Sequence, residues 1–106
     1  MAYEFDEFAL DLATRRLLRN HEEVHLSPKA FDLLSVLIEN RSRALPKAHL
    51  LETLWGSTHV AETNLAGLIA ELRRALCDSA DTPHYIRTIQ RFGYRFVGTL
   101  EDLGNP

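Results

Sequence analysis

Three arginines, Arg87, Arg91 and Arg95, recur at intervals of four along the segment Ile86 to Val97. Guanidinium groups strung along a short alternating segment can neutralise several phosphates in a row, and each offers a donor fork matched to paired oxygens. Two more cations close the run Leu72-Arg73-Arg74-Ala75-Leu76, and Thr63 and Asn64 stand at the start of the same stretch. An amide side chain can read adenine, and a threonine can meet a thymine methyl or a phosphate. This is the chemistry of holding a polyanion.

Catalytic or metal chemistry finds little support. His21, His25, His49, His59 and His84 are scattered with no close pair on one helix face, so no metal site is expected. There is no local Ser/His/Asp grouping and no glycine-rich phosphate loop, and the carboxylates read as a solvated face. The expectation is a protein that is not an enzyme and carries no cofactor. Cys77 is the single cysteine, which excludes an intramolecular disulfide and reads as a small apolar residue near a helix end. That suits a reducing cytoplasm. No stretch approaches the roughly 20 apolar residues that span a bilayer, and no basic start precedes an apolar run, so no membrane segment is expected.

A net charge of −3 argues against a free-standing nucleic-acid binder until its distribution is read. Residues 1 to 72 carry −4, residues 73 to 100 carry +3 and Glu101 with Asp102 supply −2. The basic excess falls on the segment that holds the arginines.

The elements that must position these groups follow from periodicity. In the first 26 residues Tyr3, Phe5, Phe8, Leu10, Leu17, Val24 and Leu26 alternate with polar residues in bursts broken at Ala13-Thr14 and Asn20-His21, which predicts three or four short antiparallel strands. At Leu26-Ser27-Pro28 the period changes. Ser27 can cap a helix, Pro28 suits its first position and Leu26 can staple onto Phe31. A helix over 28–39 puts Phe31, Leu34, Leu37 and Ile38 inward. A second helix from about Pro46 carries Leu50, Leu51, Leu54 and Trp55 to a stop at Gly56, with Leu45 a poor cap. A third covers roughly 62 to 77 with the stripe Leu65, Leu68, Ile69, Leu72 and Leu76. A loop at Asp78 to Pro83 leads to a hairpin in which Gly93 is expected to supply the turn's backbone freedom. The expected core includes Phe31, Leu34, Leu54, Leu65, Leu72, Tyr94 and Phe96.

On a helical wheel the third helix turns Thr63, Gly67, Ala70, Glu71 and Arg74 outward, with Asn64 and Arg73 on the flanks. Gly67 and Ala70 permit close approach, Arg73 and Arg74 suit a phosphate backbone, and Glu71 would repel it unless it accepts from a cytosine amino group.

Residues 5 to 97 resemble the winged-helix effector domain of the OmpR/PhoB type, found in response regulators and in CadC- and ToxR-like one-component regulators. The resemblance rests on Leu26-Ser27-Pro28-Lys29-Ala30-Phe31-Asp32-Leu33-Leu34, on Leu50-Leu51-Glu52-Thr53-Leu54-Trp55-Gly56, on Val60 to Leu76, and on Tyr85-Ile86-Arg87-Thr88-Ile89 with Gly93-Tyr94-Arg95-Phe96. It implies an α+β winged helix-turn-helix with a four-stranded N-terminal antiparallel sheet, a three-helix core and a C-terminal β-hairpin wing. It also implies sequence-specific binding of double-stranded DNA in transcription regulation. Trp55 would then sit at a phosphate-contacting position and Lys47 at a basic position at the start of the second helix, Thr63, Asn64 and Arg73 at recognition-helix contacts, Thr88 at a phosphate-binding threonine and Arg91 at the wing arginine of the minor groove. The loop Gly56 to Ala61 corresponds to a segment that contacts RNA polymerase in some members. The chain departs from the pattern at Ala70, Glu71 and Gln90, where Arg or Lys is common.

The expected DNA-facing set is thus Lys47, Trp55, Thr63, Asn64, Gly67, Arg73, Arg74, Thr88, Arg91 and Arg95. The expected domain is 1–100, with 101–106 a tail or the start of a linker. If Met1 is the natural start, any sensory part is expected after Pro106. No large apolar stripe is left over, which predicts a monomer alone and a dimer on DNA or through domains outside the chain. The competing reading is a winged helix that serves as a protein-interaction module, favoured by the acidic balance and the sparsely basic helix face.

Overall fold

The computed structural model describes residues 2–56 and 58–103. Its element order is β1 (Ala2–Phe5), β2 (Phe8–Asp11), β3 (Arg16–Arg19), β4 (Glu22–Val24), α1 (Pro28–Glu39), β5 (Leu45–Pro46), α2 (Lys47–Trp55), α3 (Glu62–Leu76), β6 (Ile86–Ile89), β7 (Gly93–Phe96) and β8 (Glu101–Leu103). The N-terminal antiparallel sheet, the three helices and the C-terminal hairpin are those expected.

The breaks in the N-terminal alternation are its turns. Asn20 and His21 both take positive φ, +50° and +71°, so the β3–β4 hairpin closes on two left-handed residues. At the β2–β3 turn the Asp11 carboxylate accepts from the N–H groups of Ala13 and Thr14. The sheet nevertheless has five strands in the order β4-β3-β2-β1-β8, not four. Residues 101–103, expected as tail or linker, pair antiparallel with β1, Ala2 opposite Leu103 and Glu4 opposite Glu101. Two adjacent acids followed by a leucine carry no strand periodicity, and only the free edge of β1 recruits them. Residues 104–106 of that expected tail lie outside the described residues.

Ser27 caps α1 as expected, its side chain accepting from the Ala30 N–H at 3.3 Å. Phe31, Leu33, Leu34, Leu37 and Ile38 are all buried, which makes α1 the central post of the core. All seven residues expected in the core are buried. An aromatic cluster joins the two sheets beyond that expectation: the Phe5 ring lies 5.3 Å from both Tyr85 and Phe96, and Phe8 lies 5.7 Å from Tyr85. The Tyr85 hydroxyl donates to Asp6 at 2.5 Å, and burial together with this bond pushes its pKa upward.

A second sheet, order β5-β7-β6, is built from the hairpin and a two-residue strand absent from the periodicity analysis. Leu45 opposes Tyr94 and Pro46 opposes Gly93. Pro46 is tolerated because β5 is an edge. Gly93 does not supply the turn's backbone freedom, the role expected of it. It has no positive φ; Arg91 does, at +63°. Gly93 is required because a Cβ there would lie 1.8 Å from the Leu45 carbonyl oxygen and 3.0 Å from Pro46 Cα.

Gly93→Ala is therefore expected to split β5 from β7 and to cost more than about 2 kcal/mol, in the range of overpacked interiors. Gly67→Ala, with nothing within 4 Å of the new methyl group, should stabilise by up to about 1 kcal/mol through helix propensity. Urea midpoints of the two variants check both signs.

Candidate nucleic-acid interface

The exposed face of α3 carries Thr63, Asn64, Ala66, Gly67, Ala70 and Arg74. Its N-cap is Ala61, which makes no side-chain hydrogen bond, and α2 likewise starts at Pro46 without a side-chain cap. Neither helix start is therefore closed by a side-chain cap. Lys47 at the start of α2, Thr63 and Ala66 of α3 and Tyr94 of β7 line one groove of about 190 Å³. The Lys47 N–H also donates to the Phe92 carbonyl at 3.0 Å, which fastens α2 to the tip of the β6–β7 hairpin.

Glu71 does not face outward as expected. Its carboxylate accepts from the Ser27 N–H at 2.7 Å and the Ser27 hydroxyl at 2.9 Å, so it anchors α3 to the start of α1. A cap residue with free donors outcompetes solvent, a contact that a single-helix wheel cannot contain. The repulsion expected of Glu71 is thereby removed from the exposed face.

Arg73 is half-buried and reaches sideways. One Nη donates to the Ile86 carbonyl at 2.8 Å and to the Thr88 hydroxyl oxygen at 3.0 Å, while its Nε is buried without a partner among the described residues. The other end of Ile86 is held as well. Asp78, just past α3, accepts from the N–H groups of His84 at 2.7 Å, Tyr85 at 3.1 Å and Ile86 at 2.9 Å. Cys77 makes this placement possible by ending α3 in the left-handed region at φ +54°, with Asp78 N–H returning to the Arg73 carbonyl. Reading 78–83 as loop missed Asp78. A carboxylate one residue after a helix end, ahead of a strand, was the available signal.

On the hairpin, Arg87 and Arg95 stand directly opposite each other across β6 and β7, both exposed. The Arg95 Nε donates to the Arg41 carbonyl at 3.1 Å, so this arginine leans on the segment after α1. Arg91 occupies the turn, where Phe92 N–H returns to Ile89 carbonyl. Among the described residues the ion pairs join Arg15 to Asp32, Arg16 to Glu23 and Arg19 to Glu7, all on the N-terminal sheet side. None of the five arginines from Arg73 to Arg95 is in one.

Trp55 stands apart from this face. It lies about 12 Å from Lys47 along α2 at 1.5 Å per residue, packs on the core and has Lys29 Nζ 5.7 Å above its ring. Lys29 also donates to the Leu54 carbonyl. Next to Trp55, Gly56, Thr58, His59 and Val60 with Ala48, Leu51 and Glu52 line a groove of about 530 Å³; Ser57 of the expected polymerase loop lies outside the described residues. Among the described residues no three His, Cys, Asp or Glu side chains are grouped to hold a metal ion, and no helix is long and apolar enough to cross a membrane.

The family model described as "Transcriptional regulatory protein, C terminal" matches residues 21–96. Transcriptional regulatory protein KdpE of Mycobacterium tuberculosis is 36% identical over 94 residues, 88% of this chain and 42% of that protein. Transcriptional regulator HilA of Salmonella typhi is 38% identical over 95 residues, 89% of this chain and 17% of that protein. The chain thus spans less than half of these curated relatives. The RstA DNA-binding domain of Klebsiella pneumoniae, solved in complex with the RstA box, superposes with a TM-score of 0.79 at 29% identity, covering 90% of this chain and 95% of that one. DrrB of Thermotoga maritima, a response regulator described as an OmpR/PhoB homolog, gives 0.83 at 31% identity over 92% of this chain and 44% of that one.

The Asp78 carboxyl is raised by burial but lowered further by backbone donors, from His84, Ile86, Ser79 and Tyr85, so its pKa falls below the ordinary value. A carboxylate with a depressed folded pKa contributes stability above its unfolded pKa, about 3.9, and loses it as pH falls through the folded value. Asp78→Ala should cost roughly 1–3 kcal/mol near neutral pH by orphaning part-buried N–H groups. The gap between variant and parent should narrow below about pH 3.9, which thermal melts across an acid series would measure.

Proposed function

This chain belongs to the family of transcriptional regulatory protein C-terminal domains, and from that premise we propose that it binds double-stranded DNA as a regulator's effector domain. In this reading α3 enters the major groove with Thr63 and Asn64 toward base edges, and Gly67 permits close approach. Lys47 and Arg74 contact the phosphate backbone, together with Thr88. The hairpin, with Arg91 at its tip and Arg87 and Arg95 behind, lies on the backbone or in the adjacent minor groove, where a narrow groove concentrates negative potential. The observation that carries the reading is the opposed, exposed pair Arg87 and Arg95, which has no carboxylate partner among the described residues. Like charges facing each other across a hairpin are unfavourable in the free domain, and a run of phosphates removes that penalty.

In the same reading Trp55, at the far end of α2, offers its indole N–H to a flanking phosphate. The loop Gly56 to Ala61, of which Gly56, Thr58, His59 and Val60 line the 530 Å³ groove, offers RNA polymerase a surface. The setting is the cytoplasm; the domain alone is a monomer that pairs on DNA or through other parts of its protein. The role is binding, without cofactor or catalysis.

Affinity measured against salt on a duplex selected from a random pool tests this. Log affinity should fall steeply with log salt, and Arg91→Ala should weaken all duplexes alike and lower the slope by about one unit. Asn64→Ala should relax one base position and cost on the order of 1–3 kcal/mol on the best site only. Arg91→Gly should weaken binding equally while gaining up to about 1 kcal/mol of stability, because glycine takes φ +63° without steric penalty. Wild-type chain with no salt-dependent binding would overturn the proposal in favour of a protein-interaction module.

A further inference from the structure

We infer that Arg73 is a positioning residue rather than a phosphate ligand: it orients the Thr88 hydroxyl toward DNA and locks the hairpin to α3. The inference rests on the DNA-binding reading and deepens it. Arg73 lies in the last turn of α3, where an arginine on a groove-facing helix would be free to swing to a phosphate. It is not free. Its guanidinium is half-buried, Nε is enclosed without a partner among the described residues, and one Nη serves two acceptors on β6, the Ile86 carbonyl at 2.8 Å and Thr88 Oγ1 at 3.0 Å. To reach a phosphate it would give up both bonds and strand a part-buried carbonyl.

The bond to Thr88 has a chemical consequence. A hydroxyl has one proton and two lone pairs. With one lone pair held by a cationic donor, Thr88 keeps its O–H for an outside acceptor, and the adjacent positive charge strengthens it as a donor to an anion. Thr88 is exposed, so a phosphate oxygen is able to take that proton. The second consequence is mechanical. Asp78 holds the Ile86 N–H and Arg73 holds its carbonyl, so strand β6 is gripped at one residue from both sides of the α3 terminus. The distance between the base-reading helix and the phosphate-reading strand is thereby set before DNA arrives, and the complex forms without paying to order the hairpin.

A double-mutant cycle on DNA affinity tests this with wild type, Arg73→Gln, Thr88→Val and the double variant, each shown by thermal melting to be folded, on one selected duplex over a salt series. Arg73→Gln should weaken binding about tenfold when Thr88 is present, the scale of one charge-assisted hydrogen bond. In the Thr88→Val background the loss should be clearly smaller, the remainder coming from the Ile86 carbonyl contact that holds the hairpin, so the two losses combine less than multiplicatively. The salt slope should stay unchanged. Multiplicative losses, or a slope lowered by about one unit whichever residue stands at 88, would make Arg73 a phosphate contact and overturn the inference. Should Arg73→Gln fail to fold, Arg73→Lys decides. It keeps the charge but cannot reproduce the guanidinium geometry, so a positioning role predicts loss of affinity and a phosphate role predicts its retention. Absence of wild-type binding would instead strike at the DNA-binding reading itself.

Discussion

Ile86 is the point on which the functional half of this domain hangs. Its side chain is fully buried beneath the hairpin, its N–H is held by Asp78 and its carbonyl by Arg73. A hairpin of two four-residue strands is marginal by itself, and this one is fixed from three directions. Asp78 and Arg73 tie it to α3, the Leu45–Pro46 edge strand extends it into a sheet, and Phe5, Phe8, Tyr85 and Phe96 clamp it to the N-terminal sheet. The position of the arginines follows from that anchoring rather than from any preference of their own.

Charge is divided along the same architecture. The N-terminal arginines are matched to carboxylates close by, Arg15 to Asp32 at 2.9 Å and Arg19 to Glu7 at 3.2 Å. Arg15 also lies over the Phe31 ring, at 4.6 Å. Exposed pairs of this kind contribute little stability, yet they neutralise one side of the molecule. Among the described residues the cations of α3 and the hairpin have no such partners, so an acidic protein presents a basic face. Net charge is a poor guide in such a case, since the field that an approaching polyanion meets is local and screened within about 8–10 Å at ordinary salt.

The strain at Arg91 belongs to the same picture. A non-glycine residue at φ +63° carries a penalty of roughly 1–2 kcal/mol that glycine would avoid. Glycine appears instead two residues later, at the one place where the Leu45 backbone leaves no room for a Cβ. The two positions exchange the roles that composition alone suggests for them.

Periodicity alone determined the three helices, their inward faces and the alternation of the N-terminal strands, because burial on one face writes itself into every third, fourth or second residue. The arginines at 87, 91 and 95 and the polar start of α3 were legible for the same local reason. Contacts between elements distant in sequence were not. Strand β5 is two residues long and exists only because β7 offers an edge; β8 is recruited in the same way by β1. Glu71 turns inward because Ser27, 44 residues away, presents donors to it. Arg73 leaves the exposed set because β6 passes within reach of its guanidinium. Each depends on which backbone or side-chain group is brought alongside, and that is decided by packing in three dimensions, where a hydrogen-bond partner has no fixed separation along the chain.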